Sequence, residues 1–171
     1  MAATKAAVEF ESAFAGVEKT VDGTTEQLAA LRQGILDMAE EIPASTTEIA
    51  AVAEAAGQLG IATDDVLDFT RVMIDLGEAT NLSADEAASA LAKFANITGT
   101  TADEYSKLGS TIVDLGNNFA TTERDIVEMA TRLASAGTVA GLSEQDILAL
   151  STAMSSVGIN AEAGGTAMTQ T

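Results

Sequence analysis

Cysteine, histidine and tryptophan are absent from this 171-residue sequence, proline occurs once, and 8 bases stand against 26 acids. Each shortage removes a class of function. Without cysteine there is no disulfide, thiol chemistry or thiolate metal site, and the redox compartment is left unmarked. Without histidine the commonest general base and zinc ligand are both missing. A Ser or Thr nucleophile would have to rely on lysine, and neither Lys93 nor Lys107 lies beside a serine in a recognisable motif. The net charge of −18 repels phosphate and argues against DNA or RNA as a direct ligand. Its plainest role is to keep an alanine-rich surface in solution. The longest uncharged run, Ile147 to Ala161, holds 15 residues, among them Ser, Thr and Asn, and is too short and too polar to span a bilayer. No basic segment precedes an apolar one at Met1, so no signal peptide is expected.

What remains is helix-forming. The apolar share is 47% but the aromatic share only 4%, so the core should be padded with Ala and anchored by Leu, Ile, Val, Met and Phe. The expectation is an all-α fold, a compact array of about eight or nine short amphipathic helices joined by short Gly-containing loops. The stretch from Leu115 to Gly137 holds the design in small. Thr122 can cap, Glu123 and Asp125 complement the helix dipole, and Ile126, Met129, Ala130, Leu133 and Ala134 form one apolar stripe before Gly137 as a stop.

The chain begins with a helix over Ala2 to Val21, its main apolar positions Val8, Phe10, Phe14 and Val17. Asp22-Gly23 breaks it. Thr24 with Gln27 then forms a capping-box pattern ahead of Leu28, Leu31, Ile35 and Met38. Residues 1–42 therefore read as an N-terminal helical hairpin, ended by Ile42-Pro43 because a residue before proline is pushed out of the α region. Residues 43–171 read as a helical core domain of helix-loop units about 20 residues long, cut off at the C-terminus of a longer chain. Its caps are Ser45, Thr63, Ser83, Thr101, Thr122 and Ser143, and glycines 60, 77, 99, 116, 137 and 158 serve as stops. Apolar stripes fall on Ile49, Val52, Ala56 and Leu59; on Val66, Phe69, Met73 and Leu76; and on Ala87, Leu91, Phe94 and Ala95. They continue with Tyr105, Leu108, Ile112, Leu115 and Phe119, and with Ile147, Leu150, Met154 and Val157. A last helix starts at Ala161.

No catalytic, cofactor-binding or metal site is expected. The carboxylate pairs Asp64-Asp65, Asp85-Glu86 and Asp103-Glu104 sit in first turns, where the helix dipole favours the ionised form, whereas acid–base work needs a raised pKa. Asp114 to Asp125 has the length of a calcium loop, but Gly116 and Phe119 occupy the third and sixth positions and Asp replaces the final Glu. Gly164-Gly165-Thr166 has neither the lysine nor the preceding strand of a phosphate loop. Met73, Met129 and Met154 read as core filler.

The segments EIAAVAEAAGQLGI (48–61), FTRVMIDLGEATNLSADEAA (69–88), LAKFANITG (91–99), LGNNFATTERDI (115–126) and VGINAEAGGTAM (157–168) resemble the core region of phage tail tape measure proteins of the siphophage and prophage type. That resemblance implies a structural, non-enzymatic part of a long helical ruler that occupies the tail tube and sets its length. It implies tail tube subunits and tail assembly chaperones as partners, self-association of the full-length protein, assembly in the host bacterial cytoplasm and a final place in the virion tail. Neither nucleic acid nor membrane contact is expected of this segment. The alternative from another class is a non-phage helical scaffold or adaptor module that binds partner helices. An acidic toxin or lytic enzyme domain is a third reading.

Overall fold

A computed structural model describes residues 2–169, with side chains described over 5–166. Among the described residues the fold is all-α, with no strand. The helices are α1 (Ala2–Thr20), α2 (Thr25–Glu41), α3 (Thr46–Gln58), α4 (Val66–Ala79), α5 (Ala84–Thr98), α6 (Tyr105–Asn118), α7 (Glu123–Val139), α8 (Glu144–Ser156) and α9 (Ala161–Thr169). Single 3-10 turns at Thr63–Asp65 and Ala102–Glu104 lead into α4 and α6. Contacts divide the chain into two compact units, Met1–Asp75 and Leu76–Thr171. Pro43 therefore lies inside the first unit, in the link between α2 and α3.

In the first unit α1 lies along α3, whereas the sequence pairs it with α2 in a hairpin. Small residues make the closer pairing possible. A Cβ on Gly57 would stand 2.8 Å from the Thr20 carbonyl carbon, and Ala50, Ala53 and Ala56 bury the same helix. Arg32 of α2 pairs with Glu11 of α1 and lies 5.2 Å from the Phe10 ring centroid. Phe10, Phe14 and Val17 are buried as expected, but Val8 is exposed, since it falls off the stripe that the other three define.

The second unit is organised around α7, which packs against α5, α6, α8 and α9. Ile126, Val127, Met129, Ala130, Leu133, Ala134 and Gly137 are all buried on it. That set wraps close to half of the helix circumference, as a helix with four neighbours requires.

The caps bear out the sequence pattern in most places. Thr24, Ser83 and Ser143 form reciprocal capping boxes with Gln27, Glu86 and Asp146, while Ser45 and Thr122 accept from the Glu48 and Asp125 N–H groups. Thr63 does otherwise. Its hydroxyl donates to the Asp22 carbonyl at 2.6 Å, tying the α3–α4 connection to the α1–α2 loop, and Ala62 stands at the cap position. At the start of α9 the Asn160 side chain accepts from the Ala163 N–H at 2.9 Å, a cap the sequence reading passes over.

Glycine plays two roles that look alike in sequence. Gly60, Gly99, Gly141 and Gly158 have positive φ and end helices. At Gly141, with φ 79°, the Leu142 N–H reaches the Gly137 carbonyl and the Gly141 N–H reaches that of Thr138, so two orphan carbonyls are satisfied in a left-handed turn that other residues resist. Gly77, Gly116 and Gly137 are not stops, contrary to expectation. Each is third from the end of its helix and six residues ahead of the next cap (Ser83, Thr122, Ser143). A Cβ on Gly77 would meet the Ala84 backbone N at 2.9 Å, and one on Gly137 would meet Ile147 Cγ1 at 2.7 Å. These glycines let the first turn of the following helix settle on the last turn of the preceding one.

Two further stripes are corrected. Phe119 follows the end of α6 in extended backbone and is exposed, because the helix stops at Asn118. In α8 the buried residues are Ile147, Leu148, Ser151 and Thr152, with Leu150 and Met154 half-buried and Val157 exposed. The phase is rotated because Ser151 and Thr152 donate to the Ile147 and Leu148 carbonyls at 2.6 and 2.8 Å. Satisfied within their own helix, those hydroxyls enter the core at little cost.

Candidate functional site

Of the carboxylates that stand out in the sequence, Glu86, Asp103 and Glu104 accept from the caps of their own helix or turn, and Asp64 accepts from the Gln27 side chain. Glu86 takes a two-pronged bond from Arg124, Nη1 to Oε1 at 2.6 Å and Nη2 to Oε2 at 2.7 Å, and also accepts from the Ser83 N–H and hydroxyl. Its pKa is lowered to about 2, first by the Arg124 bond and then by those from Ser83. Asp103 and Glu104 are lowered chiefly by bonds from Thr101, and Asp146 by bonds from Ser143. Every resolved carboxylate shift is downward, the opposite of what proton transfer near neutral pH requires.

The other motifs dissolve into helices. Asp114 lies inside α6, its side chain and carbonyl both accepting from Asn118 Nδ2, and no group of three or more acids could hold a metal ion among the described residues. Gly164 is buried within α9, where a Cβ would stand 2.5 Å from Met129 Sδ and 2.8 Å from Met154 Cε. Glycine there serves helix contact.

Among the described residues a groove of about 540 Å³ lies between α5 and α7. Its walls are one face of each helix: Glu86, Ser89, Ala90 and Lys93 on α5, and Arg124, Val127, Glu128, Thr131 and Arg132 on α7, with Leu82 at the head. The Arg124–Glu86 pair closes that head, helped by Arg124 N–H to Asn81 Oδ1 at 3.2 Å and Nη2 to the Asn81 carbonyl at 2.9 Å. First turn therefore meets first turn, and the two helices run parallel. No sequence signal marks this groove, since its walls come from segments 39 residues apart that only tertiary packing unites.

A model of the phage-related minor tail protein family matches residues 32–171, from the middle of α2 through α9. The chain belongs to that family. It is thus a structural phage tail protein. No match was found among curated proteins or among solved structures. Among the described residues no helix is long and apolar enough to cross a membrane.

Proposed function

We propose that this minor tail protein segment is part of a tape measure protein, and that within it these residues form an assembly module. The observation that carries this reading is how the family-matched sequence folds: in the second unit short helices double back on one another around α7. A length-setting segment must run on, at about 1.5 Å per helical residue. Among the described residues the longest helix, α1, has 19 residues, and a loop or turn separates each helix from the next. Measurement then belongs to helical sequence outside this segment, while the module offers faces for tail tube subunits and tail assembly chaperones. The reading assigns no catalysis, and the lowered carboxylates support that assignment.

In-frame deletion in the phage tests it. Removing Thr122 to Gly141 takes out α7, exposes the stripes of four neighbours and should abolish tails. Deleting the same length elsewhere in the protein, within continuous helix, should shorten tails in proportion. Electron micrographs showing viable phage with slightly shorter tails after the first deletion would make this segment part of the ruler.

A further inference from the structure

Among the aromatic residues Phe119 is out of place. Phe10, Phe14, Phe69, Phe94 and Tyr105 are buried, whereas Phe119 is 54% exposed in the α6–α7 loop. Two more large apolar side chains stand exposed in the α8–α9 loop, Val157 at 74% and Ile159 at 39%. The two loops meet, since the Thr121 hydroxyl donates to the Ser155 hydroxyl at 2.7 Å. Phe119 is two residues from Thr121 and Val157 two from Ser155, so along the chain each lies within about 7 Å of that bonded pair. One end of the second unit therefore gathers exposed apolar side chains into a patch, the mark of an interaction surface. Beside it a cleft of about 230 Å³ opens between the start of α7 and the α8–α9 connection. Asp125 and Glu128, both exposed, line its α7 side, and Ser155, Ile159 and Asn160 the other. Bases are scarce here. Residues 114–128 and 155–162 hold Asp114, Glu123, Asp125, Glu128 and Glu162 against Arg124, which is committed to Glu86.

We propose that this end of the second unit docks a basic segment of another protein, whose apolar anchor lies on Phe119, Val157 and Ile159 and whose lysine or arginine enters the cleft beside Asp125 and Glu128. Charge selects the occupant. Asp125 and Glu128 stand three residues apart on one helix face, about 5–6 Å between Cβ atoms, so one cation can serve both. A basic segment is drawn by these acids at short range and by the net charge of −18 at long range. A second copy of the chain would bring the same acids to the same patch and is repelled, as is an anionic lipid surface. Aromatic and aliphatic anchors ringed by charge are the usual make-up of a protein interface. Such docking would serve the assembly module proposed above, yet it does not depend on tail length, so the binding and deletion experiments can fail separately.

The test uses residues 1–171 and a fluorescein-labelled helical peptide with leucines on one face flanked by arginines at i and i+4. Fluorescence anisotropy should show saturable binding that weakens by about fivefold or more in Phe119→Ser/Val157→Ser, and likewise in Asp125→Asn/Glu128→Gln. Asp103→Asn/Glu144→Gln makes the same change in net charge at the other end of α8, where Glu144 is 11 residues, roughly 16 Å, from Ser155 and shares a pocket with Glu104. That control should leave affinity within about twofold. The same peptide with glutamate for arginine should not bind. Equal weakening by the two charge variants, weakening under about twofold by Phe119→Ser/Val157→Ser, or no saturable binding to the parent chain overturns the proposal. So does light scattering that shows a dimer disrupted by Phe119→Ser/Val157→Ser alone, since the patch would then hold a second copy. Circular dichroism should show the parent helices in each variant, because the side chains changed at the patch and cleft are exposed. Should the apolar double variant lose helix, Phe119→Ala alone, at a loop position, should still weaken binding by about threefold.

Discussion

At Ser143 one hydroxyl accepts from the Asp146 N–H at 3.1 Å, while the Asp146 carboxylate receives both the Ser143 hydroxyl and its N–H. Ser143→Ala leaves that first turn short of its acceptor and should cost about 1 kcal/mol in urea unfolding. Leu133 is 1% exposed at the centre of α7, so Leu133→Ala should cost about 2–5 kcal/mol, with a loss under about 0.5 showing that the position is not core. Glu86 gives the residue scale its pH dependence. Its folded pKa of about 2 lies below the ordinary 4.5, so the stability it contributes is complete above the ordinary value and is lost as pH falls through the folded one. The melting temperature should therefore drop between about pH 4.5 and 2, and Glu86→Gln should flatten part of that drop while lowering stability at pH 7.

Among the helices, spacing rules that depend on neighbours in sequence were readable. The caps at Ser83, Thr122 and Ser143 follow from a hydroxyl and an acid three residues apart, and the stripe of α7 follows from its period. What could not be read depends on partners distant in the chain. Gly137 and Gly141 look equally fit to end α7, and only the nearness of Ile147 separates them. The phase of α8 was hidden because Ser151 and Thr152 count as polar until their intrahelical bonds are seen. The groove was invisible for the same reason at larger scale. One pair of substitutions makes the glycine distinction measurable. A Cβ on Gly137 meets the buried Ile147, so Gly137→Ala should destabilise by about 1–3 kcal/mol despite alanine's better helix propensity. The atoms nearest a Cβ on Gly116 all belong to the Glu123 side chain, from its carboxylate back to Cγ, a flexible arm that can swing away. Gly116→Ala should be neutral or stabilise by up to about 1 kcal/mol in the same denaturation experiment.

For the whole molecule the governing quantity is the −18 charge carried on 171 residues. The ion pairs that oppose it, such as Arg71–Glu41 at 2.5 Å, lie on the surface with both side chains more than a third exposed. Such pairs contribute about 0–1 kcal/mol each, so self-repulsion should dominate the response to ionic strength. Raising salt from low to roughly half-molar, where the screening length falls to about 4 Å, should raise the melting temperature in calorimetry. A fall would mean that the ion pairs outweigh the repulsion.

The position of α7 in chain order also sets a clock on synthesis. Two of its four neighbours, α5 and α6, precede it, but α8 and α9 follow, and α9 ends 30 residues after Val139. At ribosomal speeds of about 5–20 residues per second, that interval is about 2–6 s. Throughout it the α7 surface meant for α8 and α9, including Met129 and Gly137, has nothing to cover it, and a nascent tail protein crowded on polysomes is at its stickiest. Stalled ribosomes releasing the chain just past Val139 should yield protease-sensitive, aggregating nascent protein, and those stalled well past Thr169 should not.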